Sequence, residues 1–148
     1  MCIRDSCDCV HIASPPSFHL AQLDEACAAG VAVLCEKPLS TDVPAETELV
    51  TKLAQAEART AVNFPFASSF AVEHIDSWRR NNVIGEPDRI DIEIAFHQWP
   101  RPWQMDAARW LAQRSEGGFT REVISHFLFL TARQAGPVTL QQLSLIHI

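Results

Sequence analysis

The chain has 148 residues, 47% of them apolar and 20% charged, with a formal net charge of −6. That composition belongs to a globular chain, and its acidic balance without any basic run excludes a nucleic-acid binder that works through a charged patch. No uninterrupted apolar stretch approaches the roughly 20 residues of a membrane-spanning helix, so no membrane partner is expected.

The first and last six residues, MCIRDS and LSLIHI, continue no periodic pattern beside them. As nucleic acid they are related: ATGTGTATAAGAGACAG encodes M-C-I-R-D and then Ser or Arg, and its reverse complement encodes L-S-L-I-H and then Ile or Met. That string resembles the mosaic end of a transposon-based sequencing adapter. Residues 1–6 and 143–148 are therefore expected to be adapter-derived and are set aside from fold reasoning, with genuine sequence expected to continue beyond both ends. Cys2 falls in the first hexapeptide, and Cys7, Cys9, Cys27 and Cys35 fit no zinc-site spacing. All four are expected as structural thiols inside elements, which suggests a reducing, cytoplasmic compartment and no metal.

Residues 8–13 form a short apolar run stopped by Ser14-Pro15-Pro16, which predicts a buried strand and a turn. Ser17 is expected to cap a helix with Leu20, Leu23, Ala26 and Cys27 on one face, ending at Gly30. Residues 31–35 are a second strand, and it stops at Glu36-Lys37-Pro38. A second helix is expected over 44–58, with Pro44 in its first turn and Leu49, Val50 and Leu53 turned inward. Residues 60–63 supply a third strand. Strand, helix, strand, helix, strand at these lengths predicts a parallel sheet with right-handed crossovers and both helices packed on it.

Beyond Asn63 the pattern changes. Phe64-Pro65-Phe66 leads to a helix predicted over 69–81 with Phe70, Ile75 and Trp78 in the core. After a turn at 84–87, RIDIEIAF (89–96) alternates Ile90, Ile92 and Ile94 with Asp91, Glu93 and Ala95. Period two predicts a half-buried strand of an antiparallel sheet, so a domain boundary is expected near 63–66. The loop FHQWPRPWQ (96–104) supports two readings. Trp99, Arg101 and Trp103 line a substrate pocket, since aromatic faces suit sugars and arginine suits carboxylates, or the loop packs stiffly over a sheet or subunit interface.

Charges at the end of a buried parallel strand are candidates for chemistry, because ligands of open parallel sheets bind outside the carboxyl ends of the strands. The plain alternative is a solvated turn. The residues then carry a resemblance. Ala13-Ser14-Pro15-Pro16-Ser17-Phe18-His19, the helix ending in Gly30, and VLCEKP (33–38) are similar to the second half of the dinucleotide-binding domain in the Gfo/Idh/MocA oxidoreductase family. The likeness continues through IGEPDRIDIEI (84–94) to GGFTREVISHF (117–127).

The resemblance implies an α/β chain: the C-terminal half of a Rossmann-type parallel-sheet domain over 7–64, then over 65–142 part of an α+β domain with a mainly antiparallel sheet, for substrate binding and oligomerisation. It implies NAD or NADP as cofactor, a sugar-like or polyol substrate, and a homo-oligomeric parent. Ser14, Pro15, His19, Glu36, Lys37, Pro38 and Asn63 would face the cofactor. Lys37 would stabilise the reacting oxygen and Pro38, through a cis bond, would fix the turn. In GGFTREVISHF the family commonly has Asp-x-Gly-x-His, whereas this chain has Glu122, Ser125 and His126, with Phe129 where an acid often follows. His126 would move the hydroxyl proton and Glu122 would orient substrate or imidazole. By residue type alone, His19 reads as a solvent-facing helix start and His126 as a core-edge histidine; the resemblance reverses both readings. Three readings follow: a nicotinamide-dependent oxidoreductase acting on a sugar, cyclitol or polyol; a cofactor-binding regulatory homologue without turnover; and a truncated chain inactive by itself.

Overall fold

The computed structural model describes residues 7–111, 113–116 and 118–144. The adapter-like reading of 1–6 and 145–148, and Gly117, lie outside the described residues. Three strands, β1 (Cys9–Ile12), β2 (Ala32–Glu36) and β3 (Thr60–Asn63), form a parallel sheet in the order β1-β2-β3. Each strand neighbours the next in sequence. Right-handed crossovers that always step the same way put both connecting helices on one face.

Those helices are α1 (His19–Ala28) and α2 (Val43–Gln55). The covered face carries Ile12, Val33 and Cys35, which form one buried cluster with Leu23 of α1, Leu53 of α2 and Leu39. Fully burying such side chains is worth roughly 1.5–3 kcal/mol each, which makes this cluster the main source of cohesion. Alternation sends His11, Leu34, Glu36, Ala61 and Asn63 to the opposite face.

Helix boundaries follow local chemistry. Ser17 is not the cap of α1: it lies in a 3-10 turn, Pro16–Phe18, that Pro16 starts at its first position, and α1 grows directly from that turn. Asp42 caps α2, its side chain accepting from the Ala45 amide at 3.1 Å. α1 closes with Gly30 at φ +74, its amide on Cys27 O at 2.9 Å and the Val31 amide on Ala26 O at 3.1 Å, a Schellman motif. α2 stops short of residue 58 through the same motif, with Glu57 at φ +50 in the glycine position. Val50 is exposed rather than inward, because it is turned about 100° from Leu49 on the helix.

The cysteine expectation is corrected in part. Cys35 is buried at the sheet centre and its thiol is pushed up to about 11, first by desolvation and then by Glu36. Cys27 is half-buried, while Cys7 and Cys9 are exposed, because β1 lies at the edge of the described sheet.

The second region contains α3 (Phe70–Arg80), a short α4 (Ala108–Leu111), and α5 (Ser125–Ala135) entered through a π-helical turn, Thr120–Ile124. Of the expected core residues of α3, Phe70 is 81% exposed and Trp78 is exposed, and Val72 is buried instead. The inward face is the one that meets α5: Arg79 Nη1 donates to Gln134 O, and Gln134 Nε2 donates to Asp76 Oδ1 at 3.0 Å. The strand expected over 89–96 has no ladder partner among the described residues, and Ile90 and Ile92 are exposed. Its alternation is real, but a strand exists only where a neighbour accepts its hydrogen bonds. No helix among the described residues is long and apolar enough to cross a membrane.

Candidate active site

Glu36 ends β2 directly opposite Asn63, the last residue of β3. The register puts both side chains on the uncovered face, where Asn63 Nδ2 donates to Glu36 Oε1 at 2.7 Å. His11 Nε2 lies 3.1 Å from the same oxygen. The carboxylate is thus held at the carboxyl edge of the sheet by its two neighbouring strands. Lys37 follows, and the Lys37–Pro38 bond is cis.

His19 is 1% exposed. Its Nδ1 lies 2.9 Å from Pro38 O and its Nε2 2.7 Å from Ser14 O, so the ring bridges the turn after β1 to the turn after β2. The Ser14 hydroxyl is turned back to Gln22 Oε1 at 2.6 Å. Both turns are fixed before any ligand arrives.

The other wall comes from the far end of the chain. Lys37 Nζ donates to Glu122 Oε2 at 2.9 Å and to Glu122 O at 2.8 Å, with side-chain exposures of 11% and 7%. Glu122 sits in the π-helical turn, a local widening that recurs at functional sites. One turn on, His126 packs against Phe66 (5.6 Å between ring centroids) and edge-on to Phe64 (6.3 Å). Burial, then the Lys37 ammonium and to a smaller extent Arg101, hold the imidazole below its ordinary pKa, while Glu36 opposes them. Glu122 Oε1 and His126 Nδ1 are buried without a partner. Ser125, where the family pattern has Gly, returns its hydroxyl to Arg121 O at 2.5 Å. Phe129 stacks on Phe64 at 4.2 Å, which accounts for an aromatic side chain there: it packs, and no acid could.

Lys37, Glu122 and His126 line one cavity of about 360 Å³ with Ser14, His19 and Glu36. Arg101 and Trp103 form part of its wall, whereas Pro15, Pro38, Asn63 and Trp99 do not line it. Trp99 packs edge-on against Phe119 at 5.6 Å and near Phe96 at 6.4 Å. Gln104, Asp106 and Trp110 also line the cavity and were not singled out from the sequence. For Gln104 a signal existed: the proline-flanked turn puts it three residues after Arg101, and its amide bonds to Arg101 O at 2.8 Å.

A parallel sheet with two helices on one face and a cavity outside its carboxyl edge is a Rossmann-like arrangement, in which ligands bind at that edge. Residues 2–64 match the Gfo/Idh/MocA oxidoreductase family, described as having an NAD-binding Rossmann fold, so this segment carries that family's fold. NAD as ligand class agrees with the cofactor expectation from the sequence.

Over 109 residues the chain is 30% identical to an uncharacterised oxidoreductase of Synechocystis sp., covering 74% of this chain and 29% of that protein. An inositol dehydrogenase homologue from Azotobacter vinelandii, solved with NAD+, superposes with a TM-score of 0.68 at 23% identity, covering 86% of this chain and 34% of that one. A scyllo-inositol dehydrogenase from Lactobacillus casei, solved with NAD(H) and scyllo-inositol, is 30% identical with a TM-score of 0.50, covering 53% and 24%. The chain therefore spans about a third or less of the length of these relatives.

Proposed function

We propose that a full-length protein carrying these residues is an NAD(P)-dependent oxidoreductase that moves a hydride between the nicotinamide and a secondary alcohol or carbonyl of a sugar, cyclitol or related polyol. The observation that carries this reading is the meeting of Lys37 with Glu122 and His126 in one cavity at the carboxyl edge of the sheet. The described residues fit the nicotinamide end of a dinucleotide: two turns held by His19, and a largely buried lysine in the same cavity as an unpartnered imidazole nitrogen. The sequence has no G-x-G-x-x-G turn for a pyrophosphate, so this chain supplies only part of a dinucleotide site.

When bound, the nicotinamide supplies the hydride acceptor or donor. The chain's own groups manage the oxygen and its proton. Lys37, held by Glu122, presents its ammonium to the reacting oxygen and stabilises negative charge there. His126, whose neutral form is favoured by burial and by the nearby cations, takes the hydroxyl proton during oxidation and returns it during reduction. Glu122 acts on Lys37 rather than directly on the imidazole, since its Oε2 and carbonyl both accept from Nζ.

The test uses the full-length protein, with NAD and NADP and a panel of inositols, hexoses and alditols. His126→Ala should lower turnover by roughly 10²–10⁴-fold while cofactor titrations change little, and Lys37→Ala should be comparable or worse. Near-native turnover in both variants would show that these residues do not carry the reaction. A protein that binds cofactor but turns over nothing would favour a regulatory homologue.

A further inference from the structure

We propose that Arg101 selects a substrate bearing a carboxylate, an acidic sugar or polyol of the uronate or aldonate kind, in preference to its neutral counterpart. The inference rests on the reading of this cavity as the oxidoreductase's substrate site.

Arg101 is built into the wall in a fixed pose. Its guanidinium carbon lies 4.8 Å from the centroid of Trp103 and 5.3 Å from that of Phe96. Gln104, itself 8% exposed, accepts with Oε1 from Arg101 Nε at 3.2 Å and from the Arg101 amide at 3.1 Å. Those contacts use the inner edge of the guanidinium. None of the hydrogen bonds or ion pairs among the described residues involves its terminal nitrogens.

The other charges of the cavity are already engaged. Lys37 is neutralised by Glu122, and Glu36 is held by Asn63 and His11. Asp106 is exposed on the same wall and makes no ion pair with Arg101. One cation is left with a preformed two-pronged donor edge, its guanidinium set over the rings of Phe96 and Trp103. A carboxylate matches that edge with two parallel hydrogen bonds, whereas a neutral hydroxyl uses only one prong. A phosphate dianion suits it less, because no second unengaged cation of the cavity lining answers its additional charge.

The experiment compares glucose, glucuronate, gluconate, glucuronate methyl ester and glucose 6-phosphate on the full-length holoenzyme. It follows kcat/KM, and competitive binding by saturation-transfer NMR, in the wild type, Arg101→Gln and Arg101→Lys. The acids should be preferred over glucose and the ester by about 10–100-fold, the effect of a hydrogen-bonded ion pair. Arg101→Gln should bring acid and neutral to within about threefold, mainly through KM, and Arg101→Lys should restore only part of the preference, since a point charge lacks the fork. Equal or better use of glucose, preference for glucose 6-phosphate, or a preference that survives in Arg101→Gln would overturn the proposal while leaving the oxidoreductase reading intact. Absence of nicotinamide turnover and of competitive binding across the whole panel, in a protein that titrates with NAD(H), would instead remove the function on which the proposal rests.

Discussion

Residues 7–64 and residues 65–144 reach different degrees of closure. In the first region each strand finds its neighbour one helix away in sequence, and the two crossovers cover a single sheet face. Ile12, Leu23, Val33, Cys35, Leu39 and Leu53 consequently bury one another. In the second, Val72, Leu111 and Val123 are the buried apolar side chains among the described residues, while Ile84, Ile90, Ile92 and Phe70 remain exposed. A βαβαβ unit satisfies its pattern locally, whereas an alternating segment needs a sheet partner from elsewhere. The second region meets the first through aromatic contacts of Phe64 with His126 and Phe129 of α5, and through the Lys37–Glu122 ion pair.

The strongest way to break this contrast is to empty the two regions in turn. Leu23→Ala, at a side chain 3% exposed, should cost about 2–5 kcal/mol, the usual range for a leucine truncated in a packed core. Ile92→Ala, at 41% exposed, should stay within about 0.5 kcal/mol. Urea unfolding of the chain, with hydrogen exchange to assign the protected amides, reads both. If the two substitutions cost the same, the first region is not the self-sufficient one.

The join between the regions comes next. Glu122→Gln keeps an acceptor for Lys37 but removes the charge that balances a buried ammonium, so it should destabilise by about 1–3 kcal/mol. The loss should show as faster amide exchange in α5 while the exchange of β2 is little changed. Equal acceleration in both would mean that the two regions open together and the contrast is one of packing only.

Legibility in the sequence divides along the same line. β1, β2, β3, α1 and α2 could be read because strand length, helix period and turn residues are local. The inward face of α3 could not, since α5 chooses it through Arg79, Asp76 and Gln134. The alternation of 89–96 predicted a half-buried strand, and the described residues form none there, because no neighbour pairs with it. At the site, Glu36 and Lys37 announce themselves as charges at a strand end, but Lys37 and Glu122 are 85 residues apart, and only the family resemblance connected them. The bridging role of His19 depends on where two backbone carbonyls come to rest, which residue type does not encode.

A pH experiment sharpens the join further. His126 is held below the ordinary imidazole value of about 6.5 by burial and by Lys37. In the proposed role of general base during oxidation it must be neutral, so the acid limb of kcat/KM should lie below that value. Arg101→Gln removes one of the cations that lower it, and the limb should shift upward. Stability follows the same sign. The unfolded chain binds a proton to this histidine at higher pH than the folded chain does, so the contribution is intact above the unfolded value and is lost as pH falls from there toward the lowered folded one. An NMR titration of the imidazole that placed it above the ordinary value would reverse both expectations.

The smallest effects concern a device that both regions share. Schellman motifs end α1, α2 and α3, and the residue in the left-handed position is Gly30, Glu57 and Asn82 respectively, at φ +74, +50 and +53. A side chain with a Cβ loses roughly 1–2 kcal/mol in that conformation, asparagine less, and glycine nothing beyond its entropy of about 0.5–1 kcal/mol. Glu57→Gly should therefore stabilise by a few tenths to about 1 kcal/mol, and Asn82→Gly should be near neutral. Gly30→Ala should destabilise by about 1 kcal/mol for backbone reasons alone, since an added Cβ meets nothing within 4 Å. Because these changes act on the backbone and not on packing, they should be equally visible in the well-packed region and in the open one. If Glu57→Gly gained nothing while Gly30→Ala lost the full amount, the end of α2 would be held by its surroundings rather than by its own turn, and the local self-sufficiency of residues 7–64 would be weaker than its core implies.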